Sequence, residues 1–240
     1  MAIIFNGANI LGANFNNTTT GAVQFNGTKV FPEYGITLDI GTVHSSSSPN
    51  GFIIVGSTNH GVVPYQSTST SYGSRGFEIN QVTTSVGYAS SSYYTLSRVF
   101  DGELDEYGFR SNKTTETSFT LDFKFPFNVI LRSVTYCQTQ RDAQSALKYA
   151  NALSIYSVNN GTIAGTIVNG ESVNAAVGAS TSIDTSHYTT PVNTLRFNPV
   201  YSNENKVMTI GEIKMTVKVK DSDYMAWKEE YELTNNAYIP

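Results

Sequence analysis

The chain has 240 residues, enough for a single all-β domain with a sizeable core, and only 14% of them are charged. A net charge of −4 and a pI near 5.4, with no Lys/Arg cluster, supply no concentrated positive field, so nucleic acid is not an expected partner. No apolar run approaches the ~18 residues of a membrane helix, so membrane insertion is not expected, and the lone cysteine, Cys137, excludes an intrachain disulfide.

Ser, Thr, Asn and Gly stand where charged residues usually would, and 15 Tyr and 13 Phe accompany them. These are strand-surface, turn and strand-core residues, poor in helix propensity, so composition leans toward β. Cys137 lies in the strand-like Val134-Thr135-Tyr136-Cys137, where a lone thiol acts as a small buried hydrophobe. The start, Met-Ala-Ile-Ile-Phe-Asn-Gly, has neither the basic opening nor the apolar core of a secretory signal, so cytoplasmic synthesis is expected.

In chain order, Phe5-Asn6-Gly7-Ala8-Asn9-Ile10 returns as Phe25-Asn26-Gly27-Thr28-Lys29-Val30. Asn-Gly between apolar flanks accepts the positive φ of a tight hairpin turn. Two hairpins are expected before residue 32, joined by the polar Asn16 to Gly21 stretch, and Pro32-Glu33-Tyr34-Gly35 reads as a boundary. Units so short bury little alone, which makes residues 1–35 a tether with Phe5, Phe25 and Phe31 as candidate assembly contacts.

Residues 36–220 then read as one domain. Ile36-Thr37-Leu38-Asp39-Ile40 alternates as a half-buried strand, and Phe52 to Val55 is a short apolar one. The stretches from Ser45 to Ser48, Gln66 to Gly76 and Ser90 to Tyr94 are Ser-, Gly- and Tyr-rich: either plain surface loops or a binding surface. Thr117 to Phe125 alternates with Phe119, Leu121, Phe123 and Phe125 on one face, and Pro126 is expected to end it. Further strands are expected over Val129–Tyr136, Leu153–Val158 (closed by Asn159-Asn160-Gly161), Ile163–Val168 (turning at Asn169-Gly170), Thr194–Phe197 and an unbroken Val207–Val219. Many short strands at this spacing indicate an all-β antiparallel sandwich or jelly roll, with Phe119, Leu121, Phe123, Val134, Ile155 and Ile213 inside. Gln140 to Asn151 suggests a helical turn or two. Residues 221–240 form an arm: Tyr224, Trp227 and Tyr231 recur at helical spacing and Asp221 is placed to cap, so a short C-terminal helix should dock on its own chain or on a neighbour.

Val99-Phe100-Asp101-Gly102, then Phe119-Thr120-Leu121-Asp122-Phe123, then Val129-Ile130-Leu131-Arg132-Ser133-Val134, resembles the discoidin domain, a galactose-binding-like jelly roll. Ser154-Ile155-Tyr156-Ser157-Val158-Asn159-Asn160-Gly161 and Ile210-Gly211-Glu212-Ile213-Lys214-Met215 continue the pattern, so the resemblance spans roughly residues 80 to 220. The Trp usual a few residues after "FDG" is absent here, Tyr107 and Phe109 standing nearest. The family implies loops at one end of the sandwich that bind a ligand. Carried to this sequence, the candidates for carbohydrate binding are Tyr72, Tyr88, Tyr93 and Tyr94, whose rings can stack on a sugar face, with Arg75 donating to hydroxyls. The family also implies a structural Ca2+, which maps to Asp101 and Glu212; otherwise Asp101 makes an Asx turn and Glu212 is solvated or paired. No other cofactor is expected.

The N-terminal "FNG" repeats are in turn similar to those opening many tailed-phage tail, fibre and other virion proteins. That likeness implies location on a virion, contact with other virion proteins, a homo-oligomeric or symmetric assembly, and attachment to host-surface glycans. A free-standing carbohydrate-binding adhesin is the alternative. His44, His60 and His187 lack metal-ligand spacing, and no nucleophile or phosphate-loop motif is present, so catalysis is not expected.

Overall fold

The computed structural model describes residues 34–41, 77–83, 86, 99–100, 108–139 and 146–235, with the backbone alone for 80–81, 231–235 and short strands between residues 3 and 67. The first of these are β1 (Ile3–Phe5), β2 (Ala8–Ile10), β3 (Asn14–Phe15), β4 (Thr18–Thr19), β5 (Gln24–Phe25) and β6 (Thr28–Lys29). They pair as three separate antiparallel hairpins. The middle one, β3–β4, occupies the stretch expected to be a polar link. Its turn, Asn16-Asn17, follows Phe15 just as Asn6-Gly7 follows Phe5 and Asn26-Gly27 follows Phe25, a repeat of ten residues. Asn takes positive φ more readily than other residues with a side chain, so an Asn-Asn pair suits a hairpin without a glycine.

The body follows as β7 (Ile36–Ile40), β8 (Phe52–Ile54), β9 (Val62–Ser67), β10 (Phe77–Gln81), β11 (Phe109–Thr114), β12 (Leu121–Cys137), β13 (Leu147–Lys148), β14 (Ala152–Asn159), β15 (Thr162–Ser172), β16 (Ser180–Asp184), β17 (Val192–Val200), β18 (Lys206–Ile210), β19 (Glu212–Val219) and the helix α1 (Asp221–Asn235). The expected class, a mostly antiparallel all-β sandwich with N-terminal hairpins and a C-terminal helix, is what the chain forms. The exceptions are two parallel pairs, β9–β10 and β13–β18.

Strand β12 organises the ten-stranded sheet of the body through both its halves, and β11, β18 and β13 form a separate three-stranded sheet. Its first half pairs with β10 and β17, and β17 leads on to β14 and β15. Its second half pairs with β16 and β19, and β19 with β7. Val129 is the hand-over residue, opposite Val192 on one side of the strand and Val219 on the other. Pro126 therefore does not end a strand. It sits in the unpaired corner between Lys124 and Val129, where its missing N–H breaks no ladder bond.

The two sheets enclose a single apolar cluster. The residues expected inside, Phe119, Leu121, Phe123, Val134, Ile155 and Ile213, are all fully buried there. Phe100 lies 4.7 Å from Phe123 and Phe109 stacks on Phe119 at 4.0 Å, ring centre to centre. Truncating one such ring costs about 3–5 kcal/mol in cores of this kind. Across the sheet face Arg196 grips Asp122 in a two-pronged pair at 2.7 and 2.8 Å, which holds the guanidinium above its usual range. The aspartate of the "LDF" motif thus ties β12 to β17.

At the glycines one expectation holds and two change. Asn160 and Gly161, with φ of 49° and 78°, do make the tight turn between β14 and β15. Asn169-Gly170 does not turn: β15 runs through it as a bulge, with Gly170 N–H donating to Ser154 Oγ at 2.9 Å. The unbroken strand expected from Val207 is split at Gly211 into β18 and β19. Of the stretch 140–151 where a helical turn was expected, 140–145 lie outside the described residues and Leu147–Lys148 form strand β13.

Candidate functional site

The break at Gly211 builds a pole of the sandwich. Its N–H donates to the Cys137 carbonyl at 3.0 Å, and a Cβ placed on it would lie 2.7 Å from the Gln138 carbonyl and the Thr139 nitrogen. Gly108 abuts the Ile210–Gly211 backbone with no room for a side chain. Gly41 ends β7 at φ 71°, and a Cβ there would lie 2.6 Å from Glu212 Oε1 and 2.7 Å from the Ile213 carbonyl. Of these three glycines Gly41 abuts the Glu212 side chain itself, which is fully buried, while Gly108 and Gly211 pack the backbone that leads into it.

Glu212 lies opposite Cys137 across the ladder, while Tyr136 and Ile213 beside them belong to the core cluster. Alternation puts Glu212 on the outer face of its sheet, beneath the loops of this pole. A carboxylate buried in this way must be compensated by a cation or by converging N–H donors. Next to it along β12, Gln138 is also buried, its amide donating to the Ala150 and Asn174 carbonyls at 2.7 and 3.1 Å. Its Oε1 accepts no hydrogen bond among the described residues.

Tyr72, Arg75, Tyr88, Tyr93, Tyr94 and Asp101 lie outside the described residues, as do Phe31, His44 and His60. Their anchors are described: Val86 and Val99, both buried, bracket the segment with Tyr88, Tyr93 and Tyr94. Asp101 follows the buried Phe100 in the sequence, and Gly108, where the described chain resumes, lies against the backbone that leads into Glu212. Glu212 itself is not solvated at the surface. No group of three His, Cys, Asp or Glu able to hold a metal occurs among the described residues.

Of the candidate assembly contacts, Phe5 and Phe25 lie in β1 and β5, described by backbone only, and the same holds for Tyr231 in α1. Trp227 is buried in its own chain, its ring 5.7 Å from Phe77 and 5.6 Å from Phe127, so it is not available to a neighbour. Tyr224 packs 6.1 Å from Phe127. Docking on its own chain is the alternative that holds for this part of the arm. Asp221 caps a different element from the one expected: its Oδ1 accepts from the Gly35 and Ile36 amides at 3.0 and 3.1 Å, tying the helix start to the start of β7.

One charged group went unremarked in the sequence. Lys148 is buried, and its ammonium donates to the carbonyls of Thr114, Glu116, Ser202 and Glu204 at 2.6 to 3.2 Å. Burial pushes it below the ordinary lysine range, with Glu116 and Glu204 pulling the other way. Nothing in Ala146-Leu147-Lys148-Tyr149 signals a buried cation, because the carbonyls it needs come from turns 32 to 56 residues away.

No family model and no curated protein matches the chain. Among solved structures it is similar to the family 32 carbohydrate-binding module of Clostridium perfringens NanJ in complex with galactose, at 8% identity and a TM-score of 0.43, covering 58% of this chain and 93% of that one. It is similar also to the C-terminal domain of a Bacteroides fragilis chitobiase, at 13% identity and a TM-score of 0.46, covering 59% and 95%. Reduced XRCC1 bound to the DNA polymerase β catalytic domain matches equally, at 7% identity and a TM-score of 0.43, covering 56% and 93%. At such identities and TM-scores the likeness concerns the course of the chain, not its ligand.

Proposed function

We propose that this chain is a non-catalytic carbohydrate-binding module, gripping glycans with the loops of the Glu212 pole and joined to a larger assembly by its N-terminal hairpins. The observation that carries the reading is the construction of that pole. The described residues that flank Tyr88, Tyr93, Tyr94 and Asp101 in the sequence, Val86, Val99, Phe100 and Gly108, are fixed by burial or backbone contact, and Gly108 lies against the backbone that leads into Glu212. Rings on loops with rigid roots are what a stacking site for sugars needs. Glu212, buried against Gly41, offers the hard carboxylate oxygens that suit a structural Ca2+. Asp101, one residue past the fixed Phe100, is the second ligand in this reading, and the ion would brace the loop roots.

In the finer version the assembly is a virion, with other virion proteins and further copies of this chain as partners and host-surface glycans as target. The repeat of three hairpins, each pairing within itself, supports a tether distinct from the body. The test is a glycan array probed with the chain in its native oligomeric form and with a Tyr93→Ala/Tyr94→Ala variant. Wild type should bind a restricted set of glycans, and the variant should bind at least about tenfold more weakly. Absence of wild-type binding, or unchanged binding by the variant, removes this site.

A further inference from the structure

The corner of β12 carries a second concave site. From Asn128 to Cys137 the strand covers about 30 Å, so this corner and the Glu212 pole are at opposite ends of one sheet. Two cavities, of about 360 and 300 Å³, open side by side and share Asn128 and Asn193 as their common wall. Each alone is within the range of small-ligand sites. The first is closed by the docked helix, with Phe127, the edge of the buried Trp227 and the carboxylates of Asp223 and Glu230. The second is closed by Tyr188, Thr190, Pro191 and Asn159.

The geometry points to a binding groove for a short neutral glycan, lying from Tyr188 to Trp227 across the Asn128–Asn193 wall. The ligand class rests on the carbohydrate-binding reading above; the location does not.

Three features select that ligand. Sugar hydroxyls both donate and accept, and so do the amide and hydroxyl side chains that line the groove. The charged residues lining it are Asp223 and Glu230, both acidic, so phosphate, sulfate or sialylated ligands would meet like charge while vicinal hydroxyls can donate to the carboxylates. Parts of the groove are also set in advance. The Tyr188 hydroxyl donates to the buried Ser157 Oγ at 3.1 Å, and Gly165 leaves the space for it, since a Cβ there would come within 3.3 Å of that hydroxyl. Asn193 Oδ1 accepts from Thr194 Oγ1 at 3.1 Å, which fixes the amide in the shared wall.

Trp227 is the only tryptophan, so its fluorescence reports on this groove. The experiment titrates the full chain with cellotriose, chitotriose, galactobiose and maltotriose, and with sulfated heparin oligosaccharide as the anionic control. A saturable change in Trp227 emission with at least one neutral sugar, and none with heparin, is expected. Asn128→Ala/Asn193→Ala should weaken that binding about tenfold or more with the cooperative unfolding transition retained, whereas Tyr93→Ala/Tyr94→Ala should leave it intact. Binding seen on the glycan array with Trp227 silent, or with the asparagine variant titrating as wild type does, overturns the groove and leaves the loop site standing. A saturable response to heparin overturns the ligand class. If the array and the titration are both blank, the carbohydrate-binding reading falls and the groove's ligand with it.

Discussion

Two buried tyrosines show how single side chains set the limits of this fold. Tyr136 donates to Tyr201 at 3.4 Å and Tyr201 to the Thr209 carbonyl at 3.0 Å, a relay inside the core. Burial holds both phenols well above their ordinary range. A raised native value means the stabilisation is complete below the unfolded value, about pH 10, and is lost as pH rises through it. Denaturation midpoints should therefore be level to about pH 9 and drop steeply above 10. In Tyr136→Phe/Tyr201→Phe that drop should be much smaller, after an initial loss of about 1 kcal/mol per hydroxyl at neutral pH. Equal losses in both proteins between pH 8 and 11 would show that other groups govern alkaline unfolding.

Among elements, the hairpins and the body differ in kind. Each of the three hairpins pairs only within itself among the described strands, whereas every body strand from β10 onward joins a ladder with others. Deleting residues 1–31 should leave the midpoint of thermal unfolding within a few degrees of wild type, while sedimentation should show loss of the higher assembly. If the truncated chain no longer unfolds cooperatively, the hairpins are core and not tether. Strand alternation made 119–125 legible from sequence, because one face is apolar and the other polar, and 153–158 was legible by its apolar content up to the Asn159-Asn160-Gly161 turn. What escaped was long-range. Pro126 and Gly211 bend or break strands only because of what crosses them, and the Asn169-Gly170 bulge depends on Ser154 across the ladder. The third hairpin was missed for a local reason: its Asn-Asn turn lacks the glycine of its neighbours.

For the whole molecule, the site at the Glu212 pole was legible as a pattern and not as a geometry. Glu212 was placed by its position near the last strand; that it would be buried against Gly41, more than 160 residues away, was invisible until the sheets closed. The corner groove left no motif, since Asn128, Asn193 and Trp227 are brought together only by the sheet switch and the docked helix. If Ca2+ braces the pole, saturating Ca2+ should raise the melting temperature of the EDTA-treated chain by about 5 °C or more, as mass action on a tight site requires. Glu212→Gln should not respond. Identical melting of wild type in Ca2+ and in EDTA rules the ion out.

The sharing of β12 also dictates an order of birth. Its first half waits for β17 and its second for β19, partners that follow it by some 60 to 90 residues of synthesis. Neither sheet can close while the ribosome still holds residues 192–219. Until then Phe119 and Phe123 emerge with only the earlier part of their cover, Phe109, Phe77 and Phe100, and Val134 without its ladder partners, which leaves apolar surface open for the length of that synthesis.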